Sequence, residues 1–129
     1  MLYLADTHSL VWFLTDSSKL GKKALELLNR AELGNGIIFI PTIVLAEIMY
    51  ICERKKAAIK FKDVLHKLEN SSNYIVYNLD LGVLNKSQGL TKIHELHDRI
   101  IVATAQIVRA KILTKDEDIK NSGYAETIW

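Results

Sequence analysis

One cysteine and one proline are all that the 129 residues hold of either type. A lone cysteine, Cys52, excludes an internal disulfide and fits a reducing compartment. It lies in an apolar helical run, which reads as an inert packed thiol rather than a nucleophile. Pro41 is the sole proline, and no Gly/Ser-rich stretch, repeat or low-complexity segment divides the chain. One domain over residues 1–129 is the simplest organisation. A dominant charge is missing too. Seventeen basic against fifteen acidic residues leave a net charge of +2, so bulk charge announces neither a nucleic-acid binder nor a membrane binder. Any basic surface must be local. No segment approaches the ~20 apolar residues of a membrane span. The start Met1–Asp6 lacks the basic region of a secretory signal, and Asp6 interrupts its apolar stretch. The expectation is a soluble cytoplasmic protein.

Against that background, the placing of the acids is informative. Asp6 is the only formally charged side chain in residues 1–15, and Glu47 the only one between Glu32 and Glu53. Asp98 is separated only by Arg99 from the uncharged run Ile100–Val108, and Asp116 follows Ile112-Leu113-Thr114-Lys115. A carboxylate in apolar surroundings is costly unless it is paired or binds a cation.

Short apolar segments alternate with helical periodicity. Strands are predicted over 2–6, 37–40, 74–77 and 111–114, with a possible edge strand at 127–129. Helices are predicted over 7–14, 19–32 (capped by Ser17 or Ser18), 42–54 (capped by Thr42), 57–69, from about 81, and over 98–110. This alternation implies a parallel sheet with helices on both faces. In such sheets sites form beyond the carboxyl ends of the strands, near the switch in strand order. Asp6 and Asp116 stand at predicted strand ends, Asp98 at a helix start and Glu47 on a second helical turn. All four can reach one pocket.

Two carboxylates ~4 Å apart repel by roughly 4 kcal/mol at an effective dielectric of ~20. Mg²⁺ or Mn²⁺ removes that conflict, because hard cations prefer oxygen ligands. The chemistry that follows is hydrolysis of a phosphodiester by a water molecule. Each acid alone has a plainer explanation. Asp6 and Asp98 can cap helices, and 115–118 can be a solvated turn. The case rests on the four together.

Four blocks carry a resemblance. They are Ala5-Asp6-Thr7-His8, Pro41-Thr42 through Leu45-Ala46-Glu47, His97-Asp98-Arg99-Ile100-Ile101 through Ala105, and Leu113-Thr114-Lys115-Asp116. In order and spacing, the chain resembles the PIN-domain ribonucleases, most nearly the VapC-type toxins of toxin–antitoxin pairs. The resemblance implies a three-layer α/β/α sandwich with a central parallel sheet over residues 1–129. It implies Mg²⁺- or Mn²⁺-dependent RNA cleavage, a homodimer, and a small antitoxin that blocks the site. Carried over, Asp6, Glu47, Asp98 and Asp116 are the metal-binding and catalytic acids, with Asp118 as an alternative to Asp116. Thr7 and Thr114 match positions that hydrogen-bond the acids or the water. His8 and His97 read as structural or solvent-facing. The basic residues available to grip RNA are Arg54, Lys55, Lys56, Lys60, Lys62 and Arg99, while Trp12 and Phe13 read as core or dimer contacts. Two other readings remain. A phosphomonoesterase with Asp6 as nucleophile would want a second Asp where His8 stands. A non-catalytic RNA- or protein-binding module could keep the same fold.

Overall fold

The computed structural model describes residues 1–129 throughout. Five parallel strands lie in the order β3-β2-β1-β4-β5: β1 (Leu2–Ala5), β2 (Ile37–Pro41), β3 (Tyr74–Tyr77), β4 (Lys111–Leu113) and β5 (Thr127–Ile128). Seven helices intervene: α1 (Thr7–Leu14), α2 (Lys22–Glu32), α3 (Thr42–Glu53), α4 (Phe61–Glu69), α5 (Leu81–Gln88), α6 (Leu96–Val108) and α7 (Glu117–Ser122). The result is the expected α/β/α sandwich on a parallel sheet.

The first three strands build outward from β1 on one side, and β4 and β5 continue on the other. The switch in strand order therefore lies between β1 and β4. These two strands pair Leu4 with Ile112 and Ala5 with Leu113, which sets their carboxyl ends side by side. Leu4, Ile38, Ile40, Ile112 and Leu113 are fully buried in the strands, and Leu10, Val44 and Ile48 in the helices beside them. Each such side chain contributes about 1.5–3 kcal/mol relative to exposure. Helix α6 is buried without a break from Ile100 to Ala105. A helix apolar on all sides belongs inside a protein, and α6 packs against both β1 and β4.

Several local expectations are corrected. The second helix begins at Lys22 rather than Lys19, with Gly21 at its cap and no side-chain cap bond. Ser17 instead accepts from the amide of Lys19 within a turn. Gly21 is required where it stands, since a Cβ there would lie 2.6 Å from the backbone carbon of Trp129. Helix α3 is capped by Pro41, not Thr42, because the Thr42 hydroxyl accepts from the amide of Leu79 at 3.0 Å. Residues 57–60 are not helical, and α4 starts at Phe61. Asp98 is not a cap either. Glu95 caps α6, accepting from the amide of Asp98 at 3.0 Å. Helix α7 was not expected. Asp116 caps it through the amide of Ile119 at 2.9 Å, and Gly123 in a left-handed conformation ends it. That helix replaces the solvated turn.

Candidate functional site

Asp6 leaves the end of β1 and caps α1. Its Oδ1 accepts from the amide of Ser9 at 2.9 Å. Its Oδ2 accepts a short hydrogen bond from the hydroxyl of Thr114, just past β4. Thr114 is buried, and its Oγ1 also accepts from the amide of Asp116 at 3.1 Å. One hydroxyl thus ties the turn after β1 to the turn after β4. Asp116 is fixed a second time by its own capping bond. Two acids of the set are therefore anchored across the switch point.

Asp98 and Glu47 face the same space from α6 and α3, and neither carboxylate has a hydrogen-bond partner among the side-chain bonds of the protein. A pocket of about 310 Å³ is lined by Asp6, Thr7, Glu47, Asp98 and Asp116, with His8, Ile101, Lys115 and Trp129 completing it. All four expected acids are brought together here. Asp118, the alternative fourth acid, is exposed on α7 and does not line the pocket.

The electrostatics are those of crowded carboxylates. Burial is the largest cause raising Asp98, followed by the charges of Asp116, Glu95, Glu47 and Asp6, and together they push it up to about 7. Asp6 is also raised, by burial, against the lowering effect of its bonds from Thr114 and Ser9 and the nearby His8. Two buried side-chain oxygens lack any hydrogen-bond partner, Glu47 Oε1 and Thr7 Oγ1. Both belong to residues that line this pocket. An orphaned buried acceptor costs about 1–3 kcal/mol, and such groups in a native fold call for a ligand or ion.

An all-oxygen donor set with an unpartnered carboxylate oxygen fits a hard divalent cation in its chemistry. In spacing it fits only in part. No three His, Cys, Asp or Glu side chains stand together tightly enough to hold a metal ion as placed. Asp6 and Asp116 are locked, so any tightening falls to the untethered Glu47 and Asp98.

The other candidates separate. His8 lines the pocket and its ring lies 5.3 Å from that of Trp12, tilted by 49°. His97 is exposed and meets Glu95 at 3.5 Å. Arg99 is taken up structurally, its Nε donating a short bond to the carbonyl of Ile93. Arg54 is bound to the hydroxyl of Tyr50 at 2.7 Å. The hollow that contains Lys55 and Lys60 shares no residue with the acid pocket. Cys52 is half-buried and free, with its thiol raised by burial. Trp12 and Phe13 both pack on the core as expected, and Trp12 also stands against Trp129, His8 and Lys115. Lys115 and Trp129 line the pocket and were missed. Lys115 sits one residue before a candidate acid, which is a signal available in the sequence. The edge strand expected at 127–129 is β5, but only its pairing beside β4 brings Trp129 to the site, and no local pattern reveals that pairing.

The fold matches those of several solved proteins. A toxin–antitoxin complex from Klebsiella pneumoniae aligns over 98% of this chain and 96% of its own, with a TM-score of 0.71 and 21% identity. VapBC2 from Rickettsia felis, bound to a DNA fragment from its promoter, aligns over 99% and 98%, with a TM-score of 0.72 and 21% identity. FitAcB from Neisseria gonorrhoeae aligns over 98% and 96%, with a TM-score of 0.69 and 18% identity. At these identities the likeness establishes the fold. No curated protein matches the chain in sequence. The sequence model of the PIN domain matches residues 3–123, nearly the whole chain and all four acids. The chain belongs to the PIN-domain family of nucleases.

Proposed function

We propose that the chain is one PIN-like unit acting as an Mg²⁺- or Mn²⁺-dependent endoribonuclease, the toxin of a toxin–antitoxin pair. The observation that carries this reading is the shared pocket. Asp6, Glu47, Asp98 and Asp116 line it, and the two orphaned buried oxygens of the protein belong to residues of its lining. Asp6, Glu47, Asp98 and Asp116 would hold the cation. When bound, it polarises a phosphate oxygen and acidifies a water.

The chain's own groups supply the rest. Thr114 holds Asp6 in place through its hydroxyl and keeps the β1 and β4 turns in register. Thr7 is buried in the pocket lining with its hydroxyl unpartnered. Lys115 brings a positive charge to a pocket whose carboxylates would otherwise repel the phosphate. The fixed pair, Asp6 and Asp116, positions the reacting groups, and positioning is worth a large share of such a barrier.

Partners follow from the surface. A second hollow, lined by Ile43, Ala46, Tyr50, Ile51 and His97, runs up to Glu47. An apolar segment lying there could bring an arginine to the acids, pairing with them in place of the metal. The solved complexes of toxins with antitoxins support that reading. Ile75, Val76, Leu81 and Leu84 are exposed along β3 and α5. β3 is an edge strand, and this apolar strip supports a homodimer. No helix is long and apolar enough to cross a membrane, and the cytoplasm, where RNA is available, is the proposed location.

Purified protein should cut single-stranded RNA internally in the presence of Mn²⁺ and stop when EDTA is added. Gel analysis of end-labelled RNA reads this directly. Intact RNA in Mn²⁺, or equal cutting in EDTA, overturns the proposal.

A further inference from the structure

A four-carboxylate pocket repels the backbone it is meant to cut, so a strand needs a cationic approach. Of the basic residues of 54–62, Arg54 is held by the Tyr50 hydroxyl, and Lys55 and Lys60 line a hollow that shares no residue with the pocket formed by the acids. A larger groove of about 690 Å³ does adjoin them. It runs between α2 and the strip formed by β5 and α7, and it shares Lys115 and Trp129 with the acid pocket.

Its charges are less balanced than a count suggests. Lys23, Lys115 and Lys120 line it and are exposed, and none takes part in an ion pair. Glu26 is neutralised by Arg30 at 2.7 Å and Glu126 by Lys111 at 3.4 Å. Only Glu117 remains as an unpaired acid in the groove. The groove is therefore net positive, while the pocket at its end is net negative.

Aromatic surface marks the junction. Trp12 and Trp129 meet edge to face at 5.9 Å. Lys115 Nζ lies 4.7 Å and Lys19 Nζ 5.9 Å from the Trp12 ring centroid. Both indoles are half-buried. Gly21 permits this, since any Cβ there would collide with Trp129. Cations along a groove with aromatic rings at its end are the features that bind unpaired nucleic acid, phosphates on the lysines and bases on the rings.

We propose that this groove is the entry track for a single-stranded segment of RNA. Lys23, Lys115 and Lys120 hold its phosphates, and Trp129, braced by Trp12, stacks on the base beside the scissile bond. The proposal rests on the acid pocket being the cutting site. Duplex RNA is excluded as the preferred form, because stacking on an indole requires an unpaired base.

The test is fluorescence anisotropy of a labelled twelve-nucleotide single-stranded RNA in EDTA, where binding is read without cutting. Trp129→Ala should weaken binding about tenfold, the scale of one base–aromatic stack, and Trp129→Phe should restore most of it. Lys120→Glu lies on an exposed side chain and leaves folding intact. It should weaken binding and lower the slope of log K against log salt by about 0.7, as expected for one lost phosphate contact on a single strand. Lys55→Ala combined with Lys62→Ala should change neither quantity. Wild-type affinity and slope in the groove variants would overturn the track. So would loss of binding in the Lys55/Lys62 variant, tighter binding of duplex, or no binding of RNA by the wild type. Cutting in Mn²⁺ that ignores the groove variants would leave the acid pocket standing and remove the track. Groove-dependent binding without cutting would do the reverse.

Discussion

Asp98→Asn is expected to reduce RNA cleavage in Mn²⁺ by roughly 10²–10³-fold, the scale seen when one preorganised electrostatic group is removed from an active site. Asp98 faces the pocket from the first turn of α6 and spends its carboxylate on no internal hydrogen bond. The amide is nearly isosteric, and the cap of α6 belongs to Glu95, so the fold has no reason to suffer. Asp6→Asn should lose activity to a similar degree. Asn is as good a helix cap as Asp, so α1 should survive, while the charge beside Thr114 is gone. Initial rates on end-labelled RNA, with circular dichroism to confirm folding, check both variants. Cleavage within a few-fold of wild type for either would remove that residue from the cation-binding set.

The second large effect is on stability. In EDTA, the wild-type melting temperature should fall as pH rises from about 4 to about 7 and then level off. The sign follows from proton linkage. Asp98 titrates near 7 when folded, against 3.8 as an ordinary Asp, so between those values the folded state binds more protons than the unfolded one. The stabilisation is complete below the unfolded value and is lost as pH passes the folded one. Asp6, also raised, acts in the same direction. Asp98 is half-exposed, so solvent screening holds its share to on the order of 1 kcal/mol, or roughly 3–5 °C for a chain of this size. Asp98→Asn should flatten the profile and melt at or above wild type at pH 8. The helix dipole favours an acid at this position by about 0.3–1 kcal/mol, but burial and four neighbouring acids outweigh it. A melting temperature that climbs from pH 4 to 7, or an Asp98→Asn protein clearly less stable than wild type at pH 8 in EDTA, would mean that the carboxylates are not crowded.

The strands and most helices were legible in the sequence because each carries its own apolar pattern. Ile37–Ile40, Tyr74–Tyr77 and the run Ile100–Val108 need no tertiary information. The convergence of Asp6, Glu47, Asp98 and Asp116 was legible for a related reason. Acids at the ends of parallel strands and in the first turns of helices near those ends face one edge of the sheet. What escaped was set by contacts distant in sequence. Thr42 looked like a cap, but Leu79 claims its hydroxyl. The start of α2 is displaced where Gly21 yields to Trp129. Trp12 packs on the core as expected, and its second place at the rim of the site escaped because it depends on Trp129, which β5 delivers beside it. Helix α7 is different, since its signals were local: Asp116 as cap, Ile119 three residues on, and Gly123 as stop. They were hidden by the polarity of the segment between.

The central claim is that these four acids form a divalent-cation site, and calorimetric titration of Mn²⁺ into the purified protein near neutral pH tests it most directly. Glu47→Gln is the decisive comparison, because Glu47 Oε1 is buried with no partner in the protein and a neutral amide cannot replace its charge. Saturable binding by the wild type, weakened at least tenfold in Glu47→Gln, is the predicted result. No saturable binding, or equal affinity in the two proteins, would contradict it.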